Sequence, residues 1–112
     1  MQPGGRKRNS KKHKNNNAIF ISYGQASDQE IVDILEEAGQ RGFTRWEDIG
    51  GRGSETGIPH YGNHTWPSMN NAILAIVDDS KVDTILEMVR EKDLQFQDIG
   101  LRAFVWNIEK TY

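Results

Sequence analysis

Two histidines four residues apart, His60 and His64, are the side chains best suited to bind a metal in this 112-residue sequence. On a helix this spacing would aim both imidazoles at one zinc, copper or nickel ion, although the intervening glycine makes a helix unfavourable. A third ligand would also be needed, from Glu55, Asp48 or a histidine of a neighbouring subunit. The alternative is that His60, Tyr61 and His64 hydrogen-bond to nearby backbone and order their own segment.

Anion-binding chemistry is predicted nearby, at Arg52, which lies between Gly51 and Gly53. Glycine lets the backbone approach an anion closely, and a guanidinium can form paired hydrogen bonds with a phosphate or carboxylate. A salt bridge from Arg52 to Glu55 or Asp48 is the competing interpretation. The predicted ligand-binding residues are Gly51, Arg52, Gly53, Ser54 and Tyr61.

Both groups of residues lie in one 22-residue stretch, Gly50–Asn71, which is called the loop below. It is rich in glycine and has neither a helical nor a strand period. Structureless connections longer than about 12–15 residues within a compact domain are usually functional or disordered. The loop carries aromatic, histidine and arginine side chains that disordered linkers seldom have. We therefore predict a binding role for it.

The composition excludes several classes of site and divides the chain in two. There is no cysteine, which excludes disulfides, thiolate zinc sites and cysteine nucleophiles. Residues 1–17 contain six basic and no acidic residues and are predicted to be a disordered basic tail, whereas residues 18–112 form one domain. A nucleic-acid partner is not expected, because the tail has no aromatic residue for stacking and the domain is acidic. The chain shows no membrane span and no signal-peptide core, so a cytoplasmic location is predicted.

Catalytic motifs are absent from the sequence. It contains no nucleophile motif, no GxxxxGK phosphate loop and no close pair of carboxylates on one element. We therefore predict that the protein is not an enzyme. Acid–base catalysis by the loop histidines is the less favoured alternative.

The elements that must hold the loop follow from hydrophobic periodicity. Two amphipathic helices are predicted behind Ser27 and Ser80, each opened by a capping box, and the order of elements is βαββαβ. This order predicts an α+β, ferredoxin-like fold, in which a four-stranded antiparallel sheet carries both helices on one face and the loop joins strands 2 and 3. A second copy of the chain is expected to cover the other face at Trp46, Phe104 and Trp106. The predicted strands are Ala18–Tyr23, Phe43–Ile49, Ala72–Val77 and Leu101–Ile108.

With these elements in place, the chain resembles the nitrogen-regulatory PII signal-transduction family from Ala18 to about Ile108. The likeness rests on the topology, on Gly51-Arg52-Gly53 at the start of the loop, and on the strings AILAIVDDSKVDTILEMV and GLRAFVWNI. The longer string RGFTRWEDIGGRGSETGIPHYGNHTWPSMNNAI is similar to the PII-like subgroup that is often encoded beside heavy-metal efflux transporters.

The resemblance implies a homotrimer that senses ATP or ADP in clefts between subunits. It also implies that the loop signals to a partner such as a membrane transporter. A divalent transition metal is the alternative ligand, which would make this a metal-binding protein linked to heavy-metal homeostasis. The sequence departs from the family in two places. No lysine lies between Leu94 and Gly100, where typical members have a glycine- and lysine-rich phosphate loop, and the paired arginines that usually follow the last strand are missing.

Overall fold

A computed structural model describes residues 15–52, 55, 57–65, 68–96 and 100–112. All four strands within these ranges join one antiparallel sheet in the order β2-β3-β1-β4, which confirms the ferredoxin-like prediction. A 3-10 turn precedes each helix, at Gln25–Ser27 and Asp79–Lys81. The elements are β1 (Asn16–Gly24), α1 (Asp28–Glu37), β2 (Thr44–Ile49), β3 (Asn70–Asp78), α2 (Val82–Gln95) and β4 (Arg102–Asn107).

The core lies between the sheet and the two helices. Alternate residues of the central strands β1 and β3 point to the helices, because successive strand side chains face opposite sides of a sheet. Ile19, Ile21 and Ile73 on this side are 0% exposed. The helices pack their predicted apolar stripes against these residues and contribute Ile31, Ile34, Leu35, Ile85 and Val89 to the core.

The opposite side of the sheet, called the open face below, is apolar but uncovered within the chain. The rings of Phe20 and Trp46 lie 6.4 Å apart on it, and Phe20 pairs across the strands with Phe104. The prediction that Trp46, Phe104 and Trp106 share an uncovered face is confirmed. The large exposed side chains of this face are Trp46 (44%), Ile76 (45%), Phe104 (56%) and Trp106 (49%).

The helix starts differ from prediction. The side chain of Ser27, directly before α1, forms no capping hydrogen bond, and neither does the side chain of Lys81, directly before α2. Both predicted capping boxes are therefore wrong. The reason is the 3-10 turn before each helix. Ser27 and Ser80 belong to these turns rather than to the helix starts. The second turn is capped by Asp78, whose Oδ2 accepts a hydrogen bond from the Ser80 amide at 3.1 Å. α1 ends at a glycine that stops it, since Gly39 just beyond the helix has a φ of +78°.

The predicted basic tail, residues 1–17, lies outside the described residues as far as residue 14, and Asn16 and Asn17 belong to β1. None of the described helices is both long enough and apolar enough to cross a membrane.

Candidate functional site at the root of the loop

A pair of backbone hydrogen bonds closes the first part of the loop, residues 51–60. The Gly51 amide donates to the His60 carbonyl at 2.8 Å, and the His60 amide donates to the Gly51 carbonyl at 2.7 Å. These two residues therefore form an antiparallel bridge outside the main sheet. We call this bridge, together with Asn70 and Gly100, the loop root. The loop is consequently anchored at its base even though it lacks regular secondary structure.

The side chain of His60 packs into the root. It is only 6% exposed, and its Nδ1 lies 2.6 Å from Oδ1 of Asn70. In the tautomer with hydrogen on Nδ1, the ring donates to this carbonyl oxygen. Gly100, between α2 and β4, lies against the same ring, because a Cβ placed on it would be 3.7 Å from Nδ1. His60 thus links the loop to the connection that precedes β4.

Gly51 is required at its position by close approach. A Cβ there would lie 2.8 Å from Nδ2 of Asn70, a distance that real Cβ contacts essentially never show. Any side chain at this position would push Asn70 away from the root, and Asn70 is the partner of His60. The glycine predicted for ligand binding therefore also has a packing role.

Arg52 and Tyr61 are brought together just beyond the bridge. The Arg52 guanidinium donates to the Glu55 main-chain carbonyl at 3.1 Å and to the Tyr61 hydroxyl at 3.3 Å. Both acceptors are uncharged, so these bonds orient the guanidinium without neutralising it. Arg52 and Tyr61 are exposed and could both contact a ligand.

The structure describes the two predicted metal-binding histidines but not all of the predicted ligand-binding residues. Gly53 and Ser54 lie outside the described residues. His64 is exposed on the loop, whereas His60 is turned into the root. In the described part of the chain, no group of three or more His, Cys, Asp or Glu side chains is arranged to hold a metal ion.

A shallow groove runs between α2 and the edge strand β4. Leu86 and Leu101 line it together with the charged side chains of Arg90, Asp93 and Arg102. Arg102 donates to the Leu101 carbonyl at 2.6 Å, which fixes its guanidinium against the backbone at the start of β4. The groove therefore carries two arginines and one aspartate.

Sequence reasoning missed a second polar cluster, which lies below the root and is called the polar seam. Asp28, in the first turn of α1, is its centre. Its Oδ1 accepts from the Tyr23 hydroxyl at 2.6 Å and from Nδ2 of Asn71 at 2.9 Å, and its Oδ2 accepts from Nη1 of Arg45 at 2.9 Å. The only sequence signal was the polar Asn-Asn pair directly before an apolar strand.

The seam shifts the protonation of its members. Burial would by itself raise the pKa of Asp28, but hydrogen bonds from Tyr23 and Asn71 and the nearby charge of Arg45 outweigh it and lower that pKa. Burial, reinforced by the hydrogen bond to Asp28, raises the pKa of the Tyr23 phenol far above its usual range. Asp28 is therefore held as a carboxylate and Tyr23 as a neutral donor.

A sequence model described as "Nitrogen regulatory protein P-II" matches residues 17–112. The chain belongs to this family. The match runs from the second residue of β1 through every other strand and helix described above, together with the loop. No curated protein matches the sequence.

Solved structures of PII and PII-like proteins share this fold at low sequence identity. CPII from Thiomonas intermedia K12, bound to ADP and bicarbonate, is 22% identical with a TM-score of 0.68, and the alignment covers 84% of this chain and 86% of CPII. A PII-like signalling protein from Thermus thermophilus is 18% identical with a TM-score of 0.60, over 84% and 86% of the two chains. The GlnK–ATP complex of B. subtilis is 16% identical with a TM-score of 0.61, over 84% and 82%.

Proposed function

We propose that this PII chain senses an adenine nucleotide at the loop root and signals its presence to a protein partner through the loop. The observation that carries the proposal is the closed root itself. The Gly51–His60 bridge places the guanidinium of Arg52 beside the Tyr61 hydroxyl, with no carboxylate partner among its hydrogen bonds in the described residues. Two structural neighbours, one solved with ADP and bicarbonate and the other with ATP, support this ligand class.

The chemistry of the root suits an anionic ligand. Phosphate groups are bound by guanidinium forks and by converging backbone amides. The lysine-free connection before β4 supplies little positive charge, so in this proposal Arg52 and Arg102 replace the usual phosphate loop. Gly51, Arg52, Gly53, Ser54 and Tyr61 stay the proposed ligand contacts within the loop.

A homotrimer in the cytoplasm is the proposed working form, with ligand clefts between its subunits. The open face supports this, because an apolar surface of this kind is the usual mark of an interface. The loop string that resembles the subgroup encoded beside heavy-metal efflux transporters supports a membrane transporter as the partner. Ligand at the root would then select one loop conformation, and the partner would bind or release that conformation.

Isothermal titration calorimetry of the full chain with ADP, AMP, ATP and bicarbonate tests the proposal. We expect saturable nucleotide binding that weakens at least ~10-fold in Arg52→Ala, because a charge-assisted hydrogen bond of about 1.5–3 kcal/mol is lost. Arg41→Ala, which removes an exposed arginine from the α1–β2 connection, is the matched control and should bind normally. Absence of nucleotide binding in the wild-type chain would refute the proposal.

Calorimetric titration with zinc, copper and nickel tests the alternative, which is a metal-binding function. The buried position of His60 against Asn70 supports the ordering interpretation over a metal ligand. We therefore expect that the heat measured on titration with each metal is the same for His64→Ala as for the wild-type chain. A saturable site that disappears in both His60→Ala and His64→Ala would instead favour the metal-binding function.

A further inference from the structure

We propose that Asn71 is a positioning residue that fixes the direction in which the loop leaves the domain. Its side chain ties the departing and returning ends of the loop to the first turn of α1. A role of this loop direction in signalling rests on the proposed function, whereas the positioning of the loop by Asn71 does not.

Asn71 is the second residue of β3 and is 3% exposed. Its Oδ1 accepts from the Asp48 amide at 3.2 Å and from Nε2 of Gln25 at 3.1 Å, while its Nδ2 donates to Oδ1 of Asp28 at 2.9 Å. Gln25 in turn donates to the Asp48 carboxylate. One buried amide thus joins the end of β2, the start of β3 and the start of α1.

The bond to Asp48 matters because of the backbone there. Asp48 has a φ of +60°, a left-handed conformation that is unfavourable for a residue with a side chain, and it lies in the irregular register between Trp46 and Ile49. A bulge of this kind bends a strand and redirects the chain beyond it. Since the Asp48 amide is turned towards Asn71, that side chain stabilises the bend from which the loop departs.

The other end of the link is firmly held. Asp28 is fixed by the buried Tyr23 hydroxyl and by the guanidinium of Arg45, so it cannot follow the loop if the loop moves. The Asn71 amide is therefore attached to an anchored group. This separates two tasks: the Gly51–His60 bridge closes the loop, and the Asn71 link sets its angle to the domain.

Double electron–electron resonance can measure the angle directly, because the chain has no cysteine of its own. Spin labels at Thr65→Cys on the loop and Glu36→Cys on α1 report one distance, provided that labelled chains are diluted into unlabelled ones. We expect a narrow distribution in the otherwise wild-type chain. Asn71→Leu, which keeps the volume but removes the hydrogen bonds, should broaden it or shift its maximum by several ångströms. Asn107→Leu, on the exposed end of β4, is the matched control and should leave it unchanged.

A milder variant covers the case in which Asn71→Leu fails to fold. Gln25→Met removes the bonds to Asp48 and Asn71 at a half-buried position and keeps the main-chain bond from Gln25 to Met69. It should shift the distribution in the same sense by a smaller amount. Unchanged distributions in the folded variants would overturn the proposal. Because no ligand is added, this result is independent of nucleotide binding, which calorimetry tests separately.

Discussion

The two faces of the sheet are built from the same strands and from equally apolar residues, but only one is covered by the chain itself. Ile21 and Ile73 are fully buried under the helices, whereas Ile76 and Phe104 on the open face are about half exposed. Neighbouring positions of one strand thus have opposite environments. Strand propensity and hydrophobicity therefore do not by themselves assign a residue to the core of one chain.

The continuous apolar runs of β1 and β3 have a simple physical explanation in these terms. A strand covered on one side only would alternate apolar and polar residues, and a strand covered on both sides need not. The sequence therefore already demands a cover for the open face. A second copy of the chain is the cover we propose.

The largest expected effect is on the helix side. Ile21→Ala should lower the free energy of unfolding by about 2–5 kcal/mol, because it leaves a cavity in a packed core. Ile76→Ala, the same change on the open face, should cost less than half as much when both changes are made in a chain kept monomeric by Phe104→Glu, where no second copy covers that face. Urea unfolding of the two variants measures both losses. Equal losses of unfolding free energy would mean that the two faces are packed alike, which would contradict the difference described here.

The next effect concerns assembly. Phe104→Glu places a charge on the open face, where a subunit interface would have to desolvate it. We expect its molar mass, measured by light scattering after size exclusion, to fall to that of one chain while the circular dichroism of the fold persists. Thr84→Glu, on the exposed side of α2, is the control and should assemble normally. An unchanged mass for Phe104→Glu would show that something other than this face joins the subunits.

A smaller effect is expected at the rim of the helix side, where Tyr23 meets Asp28. The pKa of Asp28 is lowered in the folded protein, so its contribution to stability is complete above the unfolded pKa of about 3.9 and is lost as the pH falls through the lower folded value. Asp28→Asn should therefore flatten the loss of stability below about pH 4. Chemical denaturation between pH 6 and pH 2 tests this, and parallel curves for the two proteins would contradict it.

The smallest effect belongs to the outer surface of the helices. Arg90 and Glu87 form a 3.2 Å ion pair with side chains that are more than half exposed. Arg90→Ala should change the free energy of unfolding by no more than about 0.5 kcal/mol, since water and salt screen such pairs. A loss above about 1 kcal/mol in the same urea assay would show that this surface is stabilised by more than solvent-exposed charge.

The sequence predicted most of the fold because its signals are local. Strand runs, helix stripes and the left-handed Gly39 are all readable within a few residues. The capping boxes failed because tertiary packing placed a 3-10 turn in front of each helix, which a four-residue pattern does not encode.

The candidate site was predictable in part. Glycine, arginine and histidine in a long loop pointed to Gly51, Arg52 and His60, whose hydrogen bonds join residues at most ten apart in the sequence. The polar seam was not predictable, because it joins Tyr23 and Asp28 to Asn71 across more than 40 residues of sequence. Such contacts exist only once the sheet has formed, and one sequence gives no periodic sign of them.

The Gly51–His60 bridge also bears on how such a protein could change over generations. Residues 52–59 enter and leave the domain at two hydrogen-bonded positions, so their length and composition can vary without disturbing the strands beneath. Lengthening a flexible loop is thermodynamically cheap, at roughly 0.6 kcal/mol for each doubling. The domain can thus serve as a frame on which new recognition sequences are tried, while the bridge keeps each of them in register with the same core.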